Sequence, residues 1–155
     1  MNLDCNTPNG RIYINHAYDV MDRVAQKFRA KAVFMDDDGI ADIDALFTRD
    51  NKLVAIAEIK SRNLSKEKLE EFGSYLITQD KIERGVALSV ALQVPYFVMV
   101  KLITSDMIAM WKITDHHGMV ECKSYCEVTT TKATCNGGEA NRLNAFLAIE
   151  NCIYI

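Results

Sequence analysis

Asp42, Glu58 and Lys60 are the residues of this sequence whose types and spacing could do chemistry together. Glu58 and Lys60 alternate with apolar Ile59 inside KLVAIAEIKSR (52–62), a run of β-branched and small apolar residues that reads as a central strand. GIADIDALFT (39–48) reads as its hairpin partner, with Arg49-Asp50-Asn51 as a three-residue loop closed by Asn51 in the left-handed region. If Thr48 faces Lys52, Asp42 lies across from Glu58 and Ile40 across from Lys60, and opposed residues point to the same face. Asp42, Asp44, Glu58 and Lys60 then share one face, while Ile43, Ala45, Phe47, Ala55, Ala57 and Ile59 take the other. A register shift of two residues would put Asp44 in the place of Asp42.

Two carboxylates beside an ammonium group suit the hydrolysis of a phosphodiester. The diester is anionic and resists an anionic nucleophile; a divalent cation screens that charge, polarises phosphorus and acidifies water. Mg2+ prefers oxygen ligands and retains several waters. Asp42, Glu58 and the backbone carbonyl of Ile59 are expected to hold it in an open site, with Asp44 as the alternative ligand and Mn2+ as a substitute ion. Lys60 is placed to orient the attacking water or to stabilise the charge that develops in the transition state. A Glu-x-Lys triplet alone is common and carries little. Its apolar strand and the opposed aspartate give it weight, because a central strand offers few other reasons to hold a carboxylate and an ammonium.

The elements that must position these groups are legible as periodicities. At 16–30, Tyr18, Met21, Val24, Ala25 and Phe28 fall at helical spacing, with Asp19, Asp22, Arg23 and Lys27 on the opposite face. A strand is expected at 31–35, followed by a turn at Asp36-Asp37-Asp38-Gly39. Beyond the hairpin, 63–75 reads as a polar helical segment with Ser65 as its N-cap. A second helix at 78–93 carries Ile82, Val86, Leu88, Val90 and Leu92, a set broad enough to imply substantial burial, and Pro95 ends it. Strands are expected at 96–103 and 107–114, then short strands and loops around Asn136-Gly137-Gly138. The economical architecture is a mixed α/β (α+β) fold in one domain, 1–155. It has a single mixed sheet with two or three helices, a core at about 16–115, and a short β-rich C-terminal extension at about 116–155.

Composition bounds the rest. With 49% hydrophobic and 25% charged residues, the chain has the balance of an ordinary globular protein. Its longest apolar stretch, 85–100, is broken by Ser89, Gln93 and Pro95, so no membrane span is expected, and the polar N-terminus lacks the apolar core of a secretory signal. A cytoplasmic location is the expectation. Five cysteines without a Cys-x2-Cys pair argue for reduced thiols and against a zinc site. Trp111 reads as a core aromatic, and His116 and His117 as turn residues with no nucleophile around them. The formal charge of −3 gives no general attraction to nucleic acid, although Lys60, Arg62, Lys66, Lys68, Lys81 and Arg84 follow the acidic stretch and suit a local basic surface.

Ala41-Asp42-Ile43, the hairpin and Ala57-Glu58-Ile59-Lys60-Ser61-Arg62 together resemble the PD-(D/E)XK nuclease superfamily, which includes Holliday junction resolvases and restriction endonuclease-like cores. The resemblance spans roughly 18–100. It departs from the family pattern at Ala41, where the eponymous proline stands, and in the first helix, where many relatives have glutamate. It implies a restriction endonuclease-like core, a central mixed β-sheet flanked by helices, and magnesium-dependent cleavage of DNA. It also implies Asp42 and Glu58 as ligands, Lys60 as the catalytic lysine, and Asp19 as the helical acid, with Asp22 one turn away as its rival. Gln79 and Lys81, on the helix after Glu-x-Lys, become candidates to lie near the phosphate. Ser61 and Arg62 are placed to contact a backbone phosphate, or are simply a solvated strand end. Resolvases and restriction enzymes that cut two strands often do so as dimers, so the resemblance also carries the expectation of a C2 homodimer. Two other classes stay open: a nuclease-like domain that binds nucleic acid without cutting, and a globular interaction or assembly protein whose charges are structural.

Overall fold

The computed structural model describes residues 7–35, 42–132 and 138–155. The expected turn at Asp36 to Gly39, the opposition of Ile40 and Lys60, Cys5, Cys135 and the Asn136-Gly137 pair lie outside the described residues. The first helix, α1 (Pro8–Phe28), begins two turns earlier than its apolar periodicity suggests. Thr7 supplies the start: its side chain accepts a hydrogen bond from the Gly10 N–H at 3.0 Å, and Pro8 sits in the first turn, where a missing N–H costs nothing. The chain continues through β1 (Lys31–Phe34), β2 (Ala45–Arg49), β3 (Lys52–Arg62), α2 (Lys66–Phe72), β4 (Ser74–Thr78) and α3 (Gln79–Leu92). It ends with β5 (Tyr96–Leu102), β6 (Met107–Lys112), β7 (Ser124–Lys132), β8 (Glu139–Ala148), a 3-10 turn at Ile149–Asn151 and β9 (Cys152–Tyr154).

The strands form two sheets among the described residues, not the single one expected. A mixed sheet has the order β1-β2-β3-β5-β6-β9, in which β3 and β5 are parallel; a separate antiparallel sheet has the order β4-β8-β7. The second sheet exists because SYLIT (74–78) is a strand, where the polar helix was expected to end at Tyr75 and the next helix to begin at Thr78. Gly73, left-handed at φ 73°, caps α2 and turns the chain, and Tyr75 and Ile77 then point inward at the strand's period of two.

Helix α1 covers one face of the mixed sheet, packing Val20, Met21 and Val24 against Ala45, Phe47, Ala57, Ile59 and Met99. The other face carries Ile56, Val98, Val100 and Trp111, and is covered by α2, α3 and the smaller sheet through Leu69, Ile82, Tyr75, Ile77 and Leu147. Trp111 is fully buried and donates its indole N–H to the Ala148 carbonyl. Helix α3 buries less than its apolar content suggested: Val90 and Leu92 are exposed, and the contact is made by Ile82, Gly85 and Ser89. A Cβ at Gly85 would stand 2.1 Å from the Tyr96 ring, so only glycine lets the helix approach β5 this closely. No helix among the described residues is long and apolar enough to cross a membrane.

Candidate active site

The hairpin that carries the acids differs from expectation in one decisive way. Asp50 and Asn51 are both left-handed, with φ of 51° and 59°, and form a two-residue turn with Arg49 facing Lys52. The register then slips between Phe47 and Thr48, leaving Val54 as an extra residue on β3, so that Phe47 faces Ala55 and Ala45 faces Ala57. Turn and bulge together displace the pairing by two residues from the expected one. Carried one residue past β2, this register brings Asp44, not Asp42, beside Glu58. Asp44 lies just ahead of β2 and is tied to β3 twice: its N–H donates to the Ala57 carbonyl at 3.0 Å, and its Oδ2 accepts the Ile59 N–H at 2.7 Å. Asp42 is exposed and paired with Arg84 of α3 at 2.9 Å.

Glu58 is fully buried on the face covered by α3 and the smaller sheet. Its Oε1 lies 2.5 Å from the Lys60 Nζ and 3.3 Å from the Lys81 Nζ, while Oε2 has no hydrogen-bond partner among the described residues. Lys60 and Lys81 are 29% and 30% exposed, so two ammonium groups form the mouth of a site whose floor is a carboxylate. Lys81 reaches it because Gly85, one turn along α3, lets the helix settle onto Tyr96, whose hydroxyl donates to the Lys81 carbonyl at 3.1 Å.

The electrostatics follow from this crowding. Burial and the neighbouring Glu58 carboxylate raise the pKa of Asp44 to about 6, against the pull of Lys60, the Ile59 N–H and Lys81. Burial works against the Lys60 ammonium, but Glu58 and Asp44 outweigh it and hold its pKa above the ordinary lysine value. A buried carboxylate with an unpartnered oxygen and a half-buried one that repels it are a donor set that a hard divalent cation would stabilise. Among the described residues no three His, Cys, Asp or Glu side chains form a ready ligand cage, so such an ion would take its other oxygens from backbone and water.

The remaining expected residues divide by face. Ile59 lies between Glu58 and Lys60 with its side chain in the core under α1. Arg62 is on the face of Glu58 and Lys60, its guanidinium 5.8 Å from the Tyr75 ring centroid and its NH1 donating to the Ser61 carbonyl. Ser61 is buried and points to the α1 face, away from the acids, and Gln79 is engaged by Glu83 and Cys126. Asp19 also belongs to the α1 face. Its Oδ2 accepts from the buried Lys101 ammonium at 2.5 Å, so it does not join Asp44 and Glu58. Sequence reasoning passed over Tyr75, for which the inward alternation of Tyr75 and Ile77 after Gly73 was the available signal, and placed Arg84 on a basic surface without its pairing to Asp42, which nothing local announced. A cavity of about 420 Å³ on the α1 face, lined by Val24, Phe28, Phe47, Phe97, Met99 and Met110, contains none of the charged groups of the site.

The family model described as "Phage putative PDDEXK endonuclease" matches residues 24–146, more than half of the chain. No curated protein matches. Among solved structures, the chain is similar to Archaeoglobus fulgidus Hjc, a Holliday junction resolvase from an archaeal hyperthermophile. That match has 14% identity and a TM-score of 0.49, and covers 64% of this chain and 70% of the resolvase.

Proposed function

This chain belongs to that phage PDDEXK endonuclease family, and we propose that it hydrolyses phosphodiester bonds of DNA with a divalent metal, using Asp44, Glu58 and Lys60. The observation that carries this reading is the buried Glu58 carboxylate below Lys60, with one oxygen left unpartnered in the protein interior and Asp44 held beside it by the Ile59 N–H. An unsatisfied buried carboxylate oxygen costs stability unless something binds it.

Mg2+, or Mn2+ in its place, would neutralise the phosphate and acidify a water at the two carboxylates and the Ile59 carbonyl. Glu58 sits on the central strand β3, and two hydrogen bonds to that strand fix Asp44 beside it, which is what a site of low reorganisation requires. Lys60 stays protonated because its carboxylate neighbours hold its pKa up. It therefore acts as a donor, orienting the attacking water or stabilising charge on the phosphate, and not as the base. Lys81 and Arg62 extend the positive rim on the same face, where a backbone phosphate would rest. Asp42, exposed and paired with Arg84, and Asp19, paired with Lys101, are assigned no ligand role.

Incubation with single-stranded, double-stranded and branched DNA and with RNA, in Mg2+, Mn2+ or chelator, tests the reading. DNA cleavage that requires metal and is lost in Lys60→Ala supports it. Binding without cleavage in any metal would point to a nuclease-like binding domain instead.

A further inference from the structure

Tyr75 is not among the residues the family resemblance brings to the site, yet it stands beside them. Its ring is 4% exposed and lies on Trp111, with centroids 5.3 Å apart at 26°, while the Arg62 guanidinium covers it from the solvent side. Its hydroxyl is buried and has no hydrogen-bond partner among the described residues. A phenol in such a place usually finds a partner, and one that does not loses the hydration it had in the unfolded chain. Besides burial, which raises its pKa, the charges that act on the phenol are those of Arg62, Lys60 and Glu58, so it belongs to the electrostatic surroundings of the site and keeps its proton at neutral pH.

The groups around that hydroxyl indicate what would satisfy it. Arg62 is exposed and, among the described residues, makes no ion pair with a carboxylate; Lys60 contributes a second positive charge. Two cations and a neutral O–H are all donors. An anion with several acceptor oxygens completes such a set.

We propose that Tyr75 is a catalytic residue of this site, its buried hydroxyl donating to an oxygen of the same phosphodiester that faces Lys60 and Arg62. The proposal rests on the phosphodiesterase reading above and adds to it a contact from the smaller sheet. Strand β4 would thus be part of the machinery as well as a cover for the core.

Tyr75→Phe tests this, because it keeps the ring on Trp111 and beneath Arg62 and removes only the hydroxyl. The variant should unfold at the same temperature as wild type or higher, since an unpartnered buried O–H is lost. Its single-turnover cleavage of duplex DNA in Mg2+ should fall about 10-fold or more, the loss of one hydrogen bond to a charged group. Duplex affinity in Ca2+ should weaken about 5-fold or more, a readout that needs no cleavage. A variant that cuts and binds within about twofold of wild type overturns the proposal and leaves the nuclease reading standing. If wild type binds DNA and does not cut, the nuclease reading falls while the Ca2+ affinities still decide on Tyr75. A wild type that neither binds nor cuts overturns both.

Discussion

Two lysines on neighbouring strands of the mixed sheet, Lys60 of β3 and Lys101 of β5, each meet carboxylates, and the difference between them separates chemistry from architecture. Lys101 points to the α1 face. Its buried ammonium is held by Asp19 at 2.5 Å and by Asp106, and Arg23 binds Asp106 at 3.1 Å and reaches the Ile155 carbonyl. The Lys101 hydrogen bond is the largest cause of an Asp106 pKa below the ordinary carboxylate value. That cluster is closed: both acids reach solvent, and the buried charge has its partners. The Lys60 cluster inverts the burial. Here the carboxylate is inside, the ammonium is at the rim, and one oxygen of Glu58 has no partner. A structural ion pair satisfies its buried member, whereas a site ready for a ligand keeps a buried member waiting.

The largest expected break in this comparison is catalytic. Lys60→Ala should lower metal-dependent cleavage by about 10²–10³-fold, as for loss of a transition-state donor, whereas Lys101→Ala should cut at close to the wild-type rate per folded molecule. Single-turnover kinetics on one duplex substrate compare the two directly.

Next in size is the contrast between the two aspartates. Asp44→Ala should cost about 10²-fold in cleavage and weaken Mg2+ binding measured by calorimetry, while Asp42→Ala should stay within about threefold of wild type. The reverse order would restore the register first expected from the sequence.

A third difference concerns pH and needs no substrate. The folded-state pKa of Asp44 is raised to about 6 from 3.8, so the metal-free native state binds a proton that the unfolded state has released. Above about pH 6 this burial costs stability, on the order of 3 kcal/mol, and the cost disappears as pH falls below the unfolded value. Metal-free wild type should therefore gain stability relative to Asp44→Asn as pH drops from about 6 to 4 in urea titrations. Asp106, with its lowered pKa, has the opposite sign, and Asp106→Asn should reveal stability present at neutral pH and lost in acid.

The smallest effect is expected for Lys101→Met, which replaces the buried ammonium with an apolar chain of similar length. Because Asp19 and Asp106 remain in contact with solvent, unfolding should shift by no more than about 1 kcal/mol.

Strand β3 was legible to its end residues, because KLVAIAEIKSR has both the composition and the alternation of a central strand. That alternation was enough to put Glu58 and Lys60 on one face. Choosing between Asp42 and Asp44 required the turn and the bulge at Val54, and a bulge is set by strand twist and packing that no local pattern records. The side of the sheet to which Asp19 belongs was equally hidden, since helical spacing tells which residues share a face and not which sheet surface receives it. Five residues, SYLIT, sufficed for β4, but its identity as a strand depends on pairing with β8, far along the chain.

That last pairing bears on the order in which the protein is made. The hairpin of β2 and β3 leaves the ribosome as one piece, so Asp44 can meet Glu58 with little chain still to come between them. Tyr75 is fixed only when β4 zips onto β8, where it faces Leu147, much further along the chain. A nascent chain thus carries its acids in place well before it carries a settled phenol, and translation finishes the two sides of the site at different times.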